Sequence, residues 1–235
     1  MKISIIHPSR SRPAQAKATM LHWLGNLSRE NEIEYIISVD SDDPRKEDYL
    51  AFMGCDVIVV DGNKNLVQAA NTAAKESSGD IIILVSDDFE CFKNWDVAIV
   101  KAMEGKSGVL KTFDGVQKWI VTLPILSRDY YESHGYIYHP DYAHMFSDSH
   151  MTHVADLQKK LIIRNDIVFR HNHYSVKNGV KKDDLNTRAD LTMSSGEVAY
   201  MKHVQNKFGL DVNILNLSKE AHQAGHVNWL KKRMK

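Results

Sequence analysis

Cysteine is nearly absent. Cys55 and Cys91 are the only two among 235 residues, too few for a disulfide framework or a structural zinc site. Long apolar runs are missing as well. The longest unbroken aliphatic run, residues 81–85, has five residues, against the roughly 20 that a membrane-spanning helix requires. Met1-Lys2 leads straight into a short apolar run with no extended hydrophobic region, so no secretory signal is expected. Neither sign of charge dominates: Lys plus Arg total 30 and Asp plus Glu total 30, which removes any whole-protein attraction to nucleic acid or anionic membrane. No glycine-rich phosphate fingerprint follows the first apolar run, and there is no Walker lysine motif. A Rossmann dehydrogenase and a P-loop enzyme are disfavoured accordingly. DxDxT, which a haloacid-type phosphatase would carry, is also missing. No internal repeat, low-complexity segment or linker divides the chain. What remains is 43% apolar and 26% charged residues, a globular composition with enough length for a substantial core. A reduced, cytoplasmic protein is the expectation.

The first ninety residues repeat one pattern. β-Branched runs at 2–6, 34–39, 56–60 and 80–85 read as strands buried on both faces, as in a parallel sheet. Helical stretches lie between them: Ala16, Met20, Trp23, Leu24 and Leu27 after Pro13; residues 45–53 after Pro44; and Leu66, Ala69, Ala70 and Ala73 after Asn65, stopped by Gly79. This alternation predicts βαβ units with right-handed crossovers. Further on, 95–103 reads as a helix and 118–123 as a strand stopped by Pro124. Residues 127–153 show little periodicity, 152–161 returns to a helical pattern, and 161–169 holds one or two strands. Ser194 with Glu197 forms a capping-box pattern ahead of Val198, Met201, Val204 and Phe208, and Gly209 suits a C-terminal cap. The fold expected is α/β: a mostly parallel central sheet with helices on both faces and an irregular C-terminal half. It forms a single domain over 1–235, split into halves at 1–104 and 105–235.

Each of the first four strands ends in a polar cluster: His7-Pro8-Ser9-Arg10-Ser11-Arg12-Pro13, Asp40-Ser41-Asp42-Asp43-Pro44, Asp61-Gly62-Asn63 and Ser86-Asp87-Asp88. Parallel strands bring their carboxyl ends to one edge, where open α/β sheets bind ligands. Carboxylates crowded there repel one another unless a cation or hydrogen-bonded ligand joins them. A divalent metal holding a diphosphate is one natural solution.

The residues in this order resemble family-2 glycosyltransferases of the GT-A fold. The resemblance rests on Ile3-Ser4-Ile5-Ile6-His7-Pro8-Ser9-Arg10, Val39-Asp40-Ser41-Asp42-Asp43, the stretch from Asn65 to Asn71, and Ser78-Gly79-Asp80 through Ser86-Asp87-Asp88. It continues through Asn94-Trp95-Asp96, Pro124-Ile125-Leu126-Ser127, Met145-Phe146-Ser147-Asp148-Ser149-His150 and Phe169-Arg170-His171-Asn172-His173, and extends to Asp183-Asp184. It implies metal-dependent, inverting transfer of a sugar from a nucleoside-diphosphate donor, with Mn²⁺ or Mg²⁺ as cofactor. Under it, Asp40 receives a hydrogen bond from the base, a site often used for uracil. Pro8, Ser9, Arg10 and Asn65 line the nucleotide pocket, and Arg12 reaches the diphosphate. Ser86-Asp87-Asp88 stands for the DxD motif, with Asp87 towards ribose or donor sugar and Asp88 on the metal. His171 and His173 fall where a histidine meets metal or diphosphate, and Asp148 matches the general base. Two positions depart from the pattern: Ser86 replaces the first DxD carboxylate, and Ser147 replaces the glutamate usual before the base.

Plainer roles compete. Asp40 and Asp61 suit turns or helix caps, Asp87-Asp88 a solvated turn, and Asp148-Ser149 the cap of the following helix. The basic tail 231–235 is ordinarily solvated charge, and otherwise a contact for phosphate or a modified nucleic-acid acceptor beside the saccharide alternative. Two functional alternatives stand: a degenerate module that binds nucleotide or sugar without turnover, and a sugar-nucleotide nucleotidyltransferase. The latter would want a glycine-rich loop with arginine after strand one, and residues 7–13 contain no glycine.

Overall fold

Four β-branched runs build one side of the main sheet in the computed structural model, which describes residues 1–61, 65–173 and 182–234. In chain order the elements begin with β1 (Lys2–Pro8), α1 (Pro13–Gly25), β2 (Glu32–Asp40), α2 (Lys46–Leu50), β3 (Asp56–Val60), α3 (Leu66–Lys75) and β4 (Ile81–Leu84). Then come β5 (Phe89–Glu90), α4 (Trp95–Met103), β6 (Val109–Phe113), β7 (Ile125–Ser127), α5 (Arg128–His134), α6 (Ser147–Leu157), β8 (Leu161–Val168) and β9 (Arg170–His171). The chain closes with α7 (Asp184–Asp190), α8 (Met193–Gln205), a 3₁₀ turn over Lys207–Gly209, α9 (Lys219–Gln223) and α10 (His226–Arg233). The main sheet has 7 strands in the order β3-β2-β1-β4-β7-β6-β8. Strands β1–β4 pair parallel, β7 runs antiparallel to both neighbours, and β6 pairs parallel with β8. This is the expected mostly parallel α/β sheet with helices on both faces.

Alternation along the strands supplies two cores. Ile3, Ile5, Ile37, Val39, Ile81 and Ile83 face Trp23 of α1 and Trp95 of α4. Ile6, Ile36, Ile82 and Leu84 face the alanine stripe of α3 and the C-terminal helices α6, α8 and α10. Successive side chains on a strand point to opposite faces, so one unbroken apolar run fills both layers. Gly79 does not cap α3, which ends at Lys75 with Glu76 as its cap. Its role is close approach: a Cβ there would stand 2.5 Å from Ser4 Oγ and 2.6 Å from Ser4 N, and Ser4 Oγ instead accepts the Gly79 N–H at 2.7 Å.

Several expectations for the second half are corrected. Residues 118–123 are not a strand; the strands are β6 and β7 on either side. Trp119, Val121 and Leu123 are buried as the alternation implies, but this connection satisfies its polar groups through side chains instead of a neighbouring strand. The buried Lys111 ammonium donates to the carbonyls of Thr112 and Gln117. Asp114 accepts from Val116 N, Gln117 N and Thr122 Oγ1, and Val121 N donates to Thr152 Oγ1. The helix expected at 152–161 runs from Ser147 to Leu157, and the aperiodic stretch before it contains α5. The helix expected over 45–53 is confined to Lys46–Leu50. Ser194 and Glu197 form no capping box: α8 starts at Met193 after Thr192, with no side-chain cap. Gly62 and Asn63, expected at the end of β3, lie outside the described residues. Among the described residues no helix is long and apolar enough to cross a membrane.

Candidate active site

The carboxyl ends of β1, β2 and β4 open onto one cleft of about 510 Å³, as the parallel arrangement demands. Pro8, Ser9, Arg10, Arg12, Asp40, Asn65, Asp87, Asp88, Asp148, His171 and His173 all line it. These eleven candidates therefore face the same cavity, together with Asp114, Tyr138, His144 and Arg188, which the sequence reading had not assigned.

The loop after β1 is held from below. Tyr49, buried under α2, places its hydroxyl 3.0 Å from Ser9 Oγ and accepts the Arg12 N–H at 2.8 Å. The Ser11 N–H donates to Asp43 at 2.7 Å, fixing a turn in which Ser11 has a φ of 58°. Arg10 donates to Asp40 at 2.8 Å and to Asp42 at 2.5 Å. The Arg12 guanidinium pairs two-pronged with Asp183, the N-cap of α7, and stands 3.8 Å from Asp87. Asn65 caps α3: its side-chain oxygen accepts from Gln68 N at 2.9 Å while Gln68 reaches back to the Asn65 N–H.

Asp87 and Asp88 have different neighbours. Asp87 accepts from His7 Nε2 at 3.0 Å and from Ser9 Oγ at 3.1 Å. Because the carboxylate only accepts, His7 carries a proton on Nε2, while its Nδ1 lies 2.8 Å from the Tyr35 hydroxyl. His7, fully buried at the end of β1, thus orients Asp87. Asp88 accepts from Ser86 Oγ at 2.5 Å and from His171 Nε2 at 3.1 Å. Burial alone would raise its pKa, but the hydrogen bond and charge of His171, with Ser86 and His173, outweigh it and hold the carboxyl at about 2. Ser86, in place of the first DxD carboxylate, therefore fastens the last one.

The second, two-stranded sheet explains how His171 arrives there. β5 pairs antiparallel with β9, setting Phe89 opposite His171, and Asn172 N donates to the Asp88 carbonyl at 2.8 Å. The His171 ring stacks on Phe89 at 4.2 Å, and His173 follows with its ring 5.3 Å away.

Asp148 faces this group from α6. Phe146 precedes that helix in the left-handed region at φ 69°, an arrangement uncommon outside glycine. Ser147, in place of the expected glutamate, donates to the His144 carbonyl at 2.6 Å. Asp148 Oδ1 accepts the Ser149 N–H at 2.7 Å. Burial raises the Asp148 pKa above the ordinary carboxylate value, with Asp114 pushing the same way, and the Ser149 bonds only partly offset this. Asp141, seven residues before Asp148, is exposed and does not line the cleft. In the basic tail Val227 and Leu230 are buried while Lys231, Lys232 and Arg233 are exposed, and none of these three lines the cleft.

The fold has counterparts of known structure. A mannosyltransferase from Pyrobaculum calidifontis, solved with GDP-Man and Mn²⁺, superposes with a TM-score of 0.66 at 14% identity, over 96% of this chain and 68% of that one. S. aureus TarS 1–349 in complex with UDP gives 0.60 at 15% identity, over 98% and 83%. Glucosyl-3-phosphoglycerate synthase from Mycobacterium tuberculosis, solved with Mn²⁺, UDP and phosphoglyceric acid, gives 0.58 at 15%, over 86% and 78%. No curated protein matches the sequence. Residues 4–163 match glycosyl transferase family 2, and with the sheet topology and cleft described above, the chain belongs to that family.

Proposed function

We propose that this glycosyltransferase moves a sugar from a UDP-linked donor to an acceptor hydroxyl, with a divalent cation and with inversion at the anomeric carbon. One observation carries the reading: the Asp88–His171 pair and Asp148 face one cavity of about 510 Å³ at the carboxyl edge of the sheet. Residues 1–104 form the donor half and 105–235 the acceptor half. Asp40 accepts an N–H of the base beside Pro8, Ser9, Arg10 and Asn65. Asp87, steadied by His7 and Ser9, takes a hydroxyl of the ribose or donor sugar.

The donor set fits a divalent cation. Asp88 stays ionised far below neutral pH and His171 Nε2 lies 3.1 Å from it at an open cleft, leaving the remaining positions to phosphate oxygens and His173. An imidazole among oxygens suits Mn²⁺ better than Mg²⁺, which prefers an all-oxygen octahedron. A bound cation offsets the negative charge that develops on the leaving diphosphate. Arg12 exchanges Asp183 for phosphate and adds a second cationic contact. Asp148 takes the acceptor proton as the hydroxyl attacks the face opposite the diphosphate, ends protonated, and the nucleoside diphosphate departs. Its raised pKa makes it a stronger base than a solvated carboxylate. The acceptor is a saccharide, recognised by the hydrogen-bonding groups of Gln117, Thr122, Tyr138 and Asn186 on the cleft wall. The reaction belongs to the cytoplasm, in keeping with Cys55 and Cys91, which are free thiols.

Calorimetry with UDP, GDP and CDP, with and without Mn²⁺ or Mg²⁺, tests the donor site. UDP with Mn²⁺ is expected to bind tightest, and a chelator or Asp88→Ala to weaken it at least tenfold. UDP binding indifferent to both removes the metal role. A preference for GDP defeats the uracil reading of Asp40. Donor binding without transfer or donor hydrolysis favours a binding module.

A further inference from the structure

Away from the cleft, three side chains from two parts of the chain converge with metal-binding chemistry. His139 and Asp141 lie in the loop between α5 and α6, and His203 comes from the last turn of α8. One ligand atom from each lies within 4.8 Å of the other two. His203 Nε2 is 2.9 Å from Asp141 Oδ2, and His139 Nδ1 is 3.8 Å from the same oxygen. A tetrahedral Zn²⁺ with bonds of 2.0–2.2 Å holds its ligand atoms about 3.3 Å apart, so small side-chain adjustments close the set. None of the three lines the donor cleft.

We propose that His139, Asp141 and His203 bind Zn²⁺, with water in the fourth position. Two imidazoles and one carboxylate suit zinc and fit Mg²⁺ or Ca²⁺ poorly, since those ions favour oxygen. The cysteine count excluded a cysteine-built site and had no bearing on one made from histidine. The three side chains are already gathered before metal arrives. In the metal-free protein the Asp141 N–H donates to the His139 Nδ1 lone pair at 3.2 Å and His203 Nε2 donates to Asp141 Oδ2 at 2.9 Å, so Zn²⁺ would replace both contacts. The His139 and His203 rings are 4.5 Å apart, and Tyr142 and Phe208 lie nearly parallel to the His203 ring at 5.9 Å and 6.2 Å. Entry is open, because the Asp141 side chain is 51% exposed while His139 and His203 are 22% and 17% exposed. The ion would fasten the loop that leads into Asp148 to helix α8. It is a structural clamp on the acceptor wall.

The test is Zn²⁺ titration of metal-free protein against a chromogenic chelator, with no nucleotide present. The doubly altered Asp88→Asn, His171→Gln protein serves to remove the cleft ligands. One Zn²⁺ is expected to bind in both the native and this doubly altered chain, and Asp141→Ala should weaken that binding at least tenfold. Asp141 is exposed, so its loss should leave the metal-free melting temperature unchanged. His203→Gln supplies a second variant, and Co²⁺ substitution should give visible d–d bands that either variant abolishes. Zinc affinity unaltered by Asp141→Ala and by His203→Gln overturns the proposal. So does zinc binding that disappears in the Asp88→Asn, His171→Gln chain. Because nucleotide is absent throughout, these outcomes are separate from failure of the donor-site reading.

Discussion

Acidification should destabilise this protein through its buried histidines, two of which hold the C-terminal helices together. The Ile214 carbonyl only accepts, so His153 Nε2 carries the proton of their 2.9 Å bond. His153 Nδ1 therefore takes the Tyr200 hydroxyl proton at 2.7 Å, and the Tyr200 oxygen in turn accepts from His226 Nε2 at 2.9 Å. The relay links α6, α8 and α10 with both rings neutral. Burial drives His153 down to about 4 and His226 down to about 3, from an ordinary value of 6.5. A folded pKa below the unfolded one means that the unfolded chain binds more protons between the two values. The stabilisation is thus complete above about pH 6.5 and drains away as pH falls. At pH 5 each unfolded histidine is almost fully protonated and each folded one almost fully neutral. Relative to pH 7 that costs about 1.9 kcal/mol per ring, or about 4 kcal/mol for the pair. The size is governed by the distance from pH 5 to 6.5, since both folded values lie below the assay range. For a chain of this length it corresponds to a melting temperature lower by roughly 10 °C at pH 5 than at pH 7. Scanning calorimetry over that range, on the native chain and on His153→Gln with His226→Gln, measures it. The double variant should melt lower at pH 7 but with a flatter pH dependence, the part that remains coming from His150, which burial also drives down to about 2. Equal pH slopes in the two proteins would refute the reasoning, because the titration would then reside elsewhere.

Asp148→Asn should keep donor binding and melting temperature while transfer falls about 10²–10⁴-fold; near-normal rates would remove Asp148 from the mechanism. In the native enzyme the acid limb of kcat/KM should have its midpoint above the ordinary carboxylate pKa, following the upward shift of Asp148, and a pH–rate profile reads it directly. Gly79→Ala should destabilise by about 1–3 kcal/mol, because the added methyl meets the backbone of β1 at Ser4; urea unfolding that matches the native chain would contradict that packing. Gly196→Ala sets a Cβ 2.3 Å from the Met145 carbonyl, so it should displace α8 from the segment before Asp148 and reduce transfer more than donor binding, as paired kinetics and calorimetry would show.

The first half of the molecule could be read from the sequence because its signals are local. Runs such as Ile81 to Leu84 are apolar on every residue, which only a strand covered on both faces tolerates. Parallel pairing then forces the polar residues that follow β1, β2 and β4 to one edge, so a cleft carrying Asp40, Asp87 and Asp88 was implied before any coordinates. The second half depends on contacts distant in sequence. Alternation at Trp119, Val121 and Leu123 reported burial correctly, yet Lys111, Asp114 and Thr152 supply the hydrogen bonds there, and no pattern in 118–123 announces them. Likewise Ser86 looked like a lost metal ligand until the tertiary structure placed its hydroxyl on Asp88. His7 was one member of a polar strand end until folding buried it against Asp87, 80 residues away. The convergence of His139 and Asp141 with His203 rests on the packing of α8 over the preceding loop, where Gly196 lets the helix approach Met145. Periodicity and strand-end chemistry are properties of neighbouring residues, which the sequence determines by itself. The partners that tune a carboxylate or complete a ligand set are chosen by packing, and only the tertiary structure decided them.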